Sequence, residues 1–150
     1  MPFRFPLQAV LRCRESFERR ERQRLQGITR EVVRAKQLRD QAKLDRVNAL
    51  NHLQKKLHDG LRAVEMQFGL ACDRAYVRRI TAGNEKVTKL EDLRRRQLES
   101  FRHAQQQREI MENLRNRQLA AYRLLQDRRV QQQLDERYIL THSGQSALEG

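Results

Sequence analysis

Arginine is the side chain with the most chemistry to offer in this sequence. Of 32 Lys and Arg only six are Lys, and against 19 Asp and Glu they leave a formal charge of +13. A guanidinium fork matches carboxylates and phosphates with two parallel hydrogen bonds, so an excess of Arg over Lys points to docking on anionic groups. The remaining reactive residues do not converge. His52, His58, His103 and His142 are scattered, and no His or Cys pair has the close spacing of a zinc site. No glycine is followed by Lys-Ser or Lys-Thr as in a phosphate loop, and Asp135-Glu136, adjacent on one helix, point in different directions. The chain reads as non-enzymatic, with no catalytic residue, metal or cofactor. If ATP takes part, another subunit binds it.

The elements that carry these charges are helices. Hydrophobic residues make up 38% and aromatic residues 5% of the chain, with no Trp. That is too little bulky apolar mass for a compact core but enough for a seam between two helices in a rod. Both prolines lie in the first six residues, so no later residue forces a break. Pro6 suits a first helical turn, with Phe3 and Phe5 in an extended lead-in. Leu7, Val10 and Leu11 then start an apolar stripe that Arg12, Arg14, Glu15, Glu18, Arg19 and Arg20 surround. Leu25, Ile28, Val32, Ala35, Ala42, Ala49 and Leu53 continue it at three-, four- and seven-residue spacing.

His58-Asp59-Gly60 reads as a helix end with Gly at C′, and Gly60 and Gly69 bracket a reversal. The second arm then begins near Cys72, with Asp73 as a candidate N-cap. A rival hinge at residues 80–85 around Gly83-Asn84 ranks second, because it gives arms of unequal length. Val87, Leu90, Phe101, Ala104, Met111, Leu114, Ala121 and Leu125 carry the second stripe, while Arg94, Gln97, Arg108 and Gln118 fall at or near seam positions and make it wet. The expected fold is all-α: an antiparallel coiled-coil hairpin in a single domain. Helix one spans about residues 5–58, the bend 59–71, helix two 72–140, and a mobile polar tail 141–150. Cys13 and Cys72 would then lie roughly 70 Å apart at about 1.5 Å per residue, as free thiols.

No stretch has the roughly 20 apolar residues of a membrane span, and the beginning of the chain lacks the apolar core of a secretory signal, so a cytoplasmic location is expected. The charge is spread: residues 1–30 hold 8 basic and 3 acidic side chains, residues 31–90 hold 13 and 7, and residues 91–150 hold 11 and 9. Specific nucleic-acid recognition would use exposed aromatics, and these sit mostly at seam spacing. A basic surface also suits an acidic protein pore or an anionic membrane face. A basic coiled-coil scaffold or nucleic-acid-associated protein is the alternative of a different class.

The block Phe3-x-Phe5-x-Leu7-Gln8-x-Val10-Leu11-x-x-Arg14 resembles the N-terminus of the FliJ family, small coiled-coil proteins of the bacterial flagellar export apparatus. Tyr76-Val-Arg-Arg-Ile80 with Val87 is similar to the family's opening of the second helix, and Leu134-Asp135-Glu136 to its end. The resemblance implies a hairpin like the central stalk of rotary ATPases, acting in protein export and motility. Its open end would sit in the ring of the export ATPase FliI, and the part near the bend would reach toward the export gate protein FlhA. Export chaperones are further partners in the family, and the implied location is peripheral, at the inner membrane of the flagellar base. By that analogy Arg12, Arg14, Arg19, Arg20, Arg123, Arg128 and Arg129 face the ring, and Tyr76, Ile80, Val87 and Leu90 face the gate. Arg79 and Gly83 stand where apolar residues are expected on that second surface. The virulence-type secretion stalks of the YscO type are relatives with an equivalent role.

Overall fold

A computed structural model describes residues 2–149. It contains two long helices, α1 (Gln8–Asp59) and α2 (Ala63–Leu148), packed antiparallel as an all-α hairpin. Gly60 ends α1 with φ 101°, a left-handed conformation that other residues adopt only under strain, and three residues make the turn. Two compact units divide the chain: a bend unit, Arg19–His103, and an end unit of residues 1–18 with 104–150.

Helix boundaries differ from the sequence expectation at three places. The Phe5 carbonyl accepts a bond from Gln8 N–H at 3.1 Å, so Pro6 occupies a turn ahead of α1, which starts at Gln8 instead of about residue 5. Phe5 is no loose lead-in, for only 7% of it is exposed. The second helix starts at Ala63, nine residues before the expected Cys72, with Met66 N–H donating to the Arg62 carbonyl at 3.0 Å. Asp73 therefore caps nothing. It lies inside α2 and takes Arg46 Nε at 2.7 Å and the terminal guanidinium nitrogen at 3.3 Å. Helix α2 also runs past residue 140 to Leu148, with Thr141 Oγ1 donating to Arg137 O at 2.8 Å and Ser146 Oγ to His142 O at 3.0 Å. These hydroxyls bond back onto the preceding turn and so fit the helix that their composition argues against. Gly150, the last residue of the expected tail, lies outside the described residues.

In the bend unit, seam positions on α1 recur every seven residues at Leu25, Val32, Arg39, Arg46 and Leu53, with Glu21, Ile28, Ala35, Ala42 and Ala49 between them. On α2 they fall at Gly69, Tyr76, Gly83, Leu90 and Gln97, with Asp73, Ile80, Val87 and Phe101 between. Val32, Ala35, Ala42 and Val87 are the buried apolar residues of this unit. Of the three glycines inside the helices of this unit, Gly27 faces open space, and Gly69 and Gly83 serve close approach, not reversal. A Cβ on Gly69 would come within 2.7 Å of a Leu53 methyl, and one on Gly83 within 3.2 Å of Arg39 Cβ. Gly83 is thus where the helices touch, and α2 passes through the rival hinge without interruption.

Polar side chains complete the seam. Glu21 is 4% exposed, and Gln97 Nε2 donates to its carboxylate and, at 3.1 Å, to its backbone carbonyl. Lys36 and Glu91 pair at 2.7 Å on the rim, and the Arg22 guanidinium lies 5.6 Å from the Phe101 ring centre. In the end unit, Phe5, Leu11 and Ala104 are buried, and Phe3 packs on Tyr122 with ring centres 5.5 Å apart. Glu18 is 5% exposed, not on the solvated flank where the sequence puts it; Arg108 reaches both its carboxylate and that of Glu112. Burial works against the Arg108 charge, but the hydrogen bond to Glu18 and the charges of Glu18, Glu112 and Glu109 outweigh it and raise its pKa.

Two expectations test these pairs. Arg108→Leu takes a cation away from a carboxylate that is 5% exposed and should cost about 1–3 kcal/mol in urea unfolding, whereas Arg108→Leu with Glu18→Leu should regain most of it. A double variant no more stable than the single one would mean that the lost Glu18–Arg108 pairing is not the cause. At the other end, the hydrogen bond from Arg46 holds the Asp73 carboxyl below the usual range, against opposing desolvation. A carboxylate with a lowered folded pKa adds stability above its unfolded value, about 3.9, and loses it as pH falls through the folded one. Asp73→Asn should therefore melt below the parent by a constant margin from about pH 5 to 7, and the margin should close below about pH 4. A margin that persists at about pH 2 would assign the effect to something other than charge.

Candidate partner-docking surfaces

With the seam occupied by short side chains, the long cations are left outside. Arg12, Arg14, Arg19, Arg20, Arg123, Arg128 and Arg129 are all exposed, and none takes part in an ion pair among the described residues. Arg12, Arg14, Arg123, Arg128 and Arg129 belong to the end unit, and Arg19 and Arg20 to the bend unit. Net charge divides unequally. The bend unit holds 22 basic and 11 acidic side chains, net +11, and the end unit 10 and 8, net +2.

Tyr76, Ile80, Val87 and Leu90 all occupy α2 seam positions. Val87 is 6% exposed and the other three are half-buried. Arg79 lies over the Tyr76 ring, 5.6 Å from its centre, so a cation covers the aromatic face at this level. These four residues share a stripe because the stripe is the helix contact.

Three exposed apolar features escape a reading based on one seam per helix. On the outer side of α1, Val10 and Phe17 are 39% and 45% exposed and line a shallow hollow with Ala9, Cys13 and Arg14. Beyond Leu125, all residues from 127 to 149 are exposed, and Val130, Leu134 and Tyr138, four apart, share one side of this unpaired stretch of α2. At the bend, a cavity of about 450 Å³ is lined by apolar residues of both helices, including Leu50, Leu53, Val64, Phe68 and Cys72, and by Leu61 of the turn. The signal for the first was the 10, 13, 14, 17 spacing, offset from the 11, 18, 25 seam.

Among the described residues, no group of three or more His, Cys, Asp or Glu is placed to hold a metal ion, and Cys13 and Cys72 are free thiols. No described helix is long and apolar enough to cross a membrane. No curated protein and no solved structure matches the chain. One family does: the model of the flagellar FliJ protein matches residues 3–146, from the buried aromatic lead-in through both helices. Hairpin, length and motif blocks therefore agree, and the chain belongs to the FliJ family, components of the bacterial flagellar export apparatus.

Proposed function

We propose that this protein is the non-enzymatic stalk of the export apparatus, binding the ring of the export ATPase FliI with its end unit and linking it to the export gate protein FlhA through its bend unit. It would work at the cytoplasmic side of the membrane at the flagellar base, with export chaperones as further partners. The observation that carries the reading is the unpaired end of α2. Residues 127–148 extend α2 by about 33 Å at 1.5 Å per residue, with large apolar side chains that stay more than half exposed, Tyr138 stacking only on His142 of its own helix. Long exposed apolar stripes of this kind mark an absent partner. A channel through a ring would enclose such a helix on all sides. Arg123, Arg128 and Arg129 stand at its base, and Arg12, Arg14 and the Val10–Phe17 patch belong to the same unit.

Arg12, Arg14, Arg123, Arg128 and Arg129 changed together to Glu should weaken capture of purified FliI about tenfold or more, with the difference shrinking as salt rises, while helicity stays within error. Unchanged capture would remove these arginines from the ring surface, and lost RNA binding beside it would favour the basic-scaffold alternative.

On the gate side, the seam placement of Tyr76 and Leu90 changes what their substitution reports. Tyr76→Ala with Leu90→Ala should lower the melting temperature and FlhA binding together, because truncating half-buried seam residues removes about 1–3 kcal/mol of packing each. A variant that melts like the parent yet loses FlhA binding would instead make these side chains direct contacts.

A further inference from the structure

The two most exposed large apolar side chains of the bend unit, Val64 at 75% and Phe68 at 71%, lie at the bend, with Leu57 and Leu70 half exposed beside them. Val64 and Phe68 are one turn apart on α2, so they form a single projection at the closed end of the hairpin. Lys55, Lys56, Arg62 and Arg74 are exposed around them. Of the nearby acids, Asp73 is already neutralised by Arg46, which leaves Asp59 and Glu65. Behind this lies the net +11 of the bend unit.

We propose that the bend docks on an anionic lipid bilayer, with Val64 and Phe68 entering the headgroup–acyl boundary and the flanking Lys and Arg side chains on the lipid phosphates. The inference deepens the membrane location proposed above by assigning it a surface. Charge alone would suit a nucleic acid as well. An exposed Phe68 would serve base stacking as well as a bilayer, and it is Val64, Leu57 and Leu70 beside it that favour the bilayer, since a nucleic acid has little use for exposed aliphatic side chains, whereas interfacial binding scales with buried apolar area plus attraction to anionic headgroups. Each Lys or Arg near such a surface adds attraction that falls off within a Debye length, so the net charge recruits and the projection anchors.

The chain has no Trp, so Phe68→Trp provides one reporter in the full-length protein. With vesicles of phosphatidylethanolamine and phosphatidylglycerol, its emission should shift to the blue and be quenched by brominated acyl chains; with phosphatidylcholine alone it should not. In flotation assays, Val64→Ser with Phe68→Ser should reduce partitioning about tenfold or more, as expected from the apolar area of two side chains. Lys55→Glu with Lys56→Glu and Arg62→Glu should reduce it in a salt-dependent way. Both sets change exposed residues, and circular dichroism confirms that helicity is kept. An unshifted Trp, or a serine variant that floats like the parent, overturns the proposal. So does a single-stranded RNA that displaces the protein from vesicles while the serine variant binds RNA and vesicles like the parent, the result expected of a nucleic-acid surface. FliI capture measured on the parent and on the same variants reads the stalk function separately: a parent that captures FliI but does not float, or whose serine variant floats unchanged, rejects the lipid surface alone, and a parent that floats but does not capture FliI rejects the ring assignment alone.

Discussion

The close approach of two helices through small residues is the constraint from which the other features follow. Of seven buried apolar residues among those described three are alanines, and a methyl group would come within 2.7 Å of the Leu53 side chain at Gly69 and within 3.2 Å of Arg39 Cβ at Gly83, closer than ordinary contact. Such a seam gains little from hydrophobic area, because a buried alanine removes far less apolar surface from water than a leucine. It also specifies little, since small side chains fit many registers. The cross-helix pairs Arg46–Asp73, Gln97–Glu21 and Arg108–Glu18 supply what is missing. Each has its best partner in one register, and a slipped pairing would part Glu18 from Arg108 and Glu21 from Gln97 while both carboxylates stay at the seam.

The same constraint distributes the charge. Long cationic stems do not fit a seam built from Ala and Gly, apart from Arg39, Arg46 and Arg108, which are retained with acidic neighbours. The other arginines are left to the outer faces. The bend unit takes most of the excess because α1 beyond Glu18 and the facing part of α2 are both rich in Arg and Lys, whereas the unpaired end of α2 mixes Gln, Asp and Glu with its apolar residues. One unit is therefore strongly cationic, and the other offers apolar and polar surface with little net field.

Much of this is legible in the sequence, and the failures have identifiable causes. Periodicity gives both helices, and Gly60 with its preceding Asp gives the end of α1. Gly69 and Gly83 mislead because a glycine that breaks a helix and a glycine that lets another helix come close look alike until the facing residue is known. Asp73 misleads in the same way, since an Asp near an assumed helix start is indistinguishable from one that pairs across a seam with a residue 27 positions away. Glu18 and Glu21 escape because a carboxylate on an amphipathic helix is ordinarily solvated. Their burial needs Arg108 and Gln97, and those two are the residues that the sequence does mark as misplaced on an apolar stripe. Tyr76, Ile80, Val87 and Leu90 are a true pattern on α2 that also serves the helix contact, so the gate-side role proposed for them would share these side chains with the seam.

A seam of this composition also bears on how the protein works with partners. Small apolar area and several polar layers leave a two-helix hairpin marginal on its own. Any partner that binds only the closed hairpin then adds to its stability by mass action. The exposed apolar features lie away from the small-residue middle of the seam: Val64 and Phe68 at the bend, and Val130, Leu134 and Tyr138 on unpaired α2. A surface gripped at the bend would oppose separation of the two helices where the chain reverses. One gripped around the unpaired helix leaves the seam untouched and adds contacts that the hairpin itself never makes. On the proposals above, binding at the first site would be coupled to hairpin closure, and binding at the second would not.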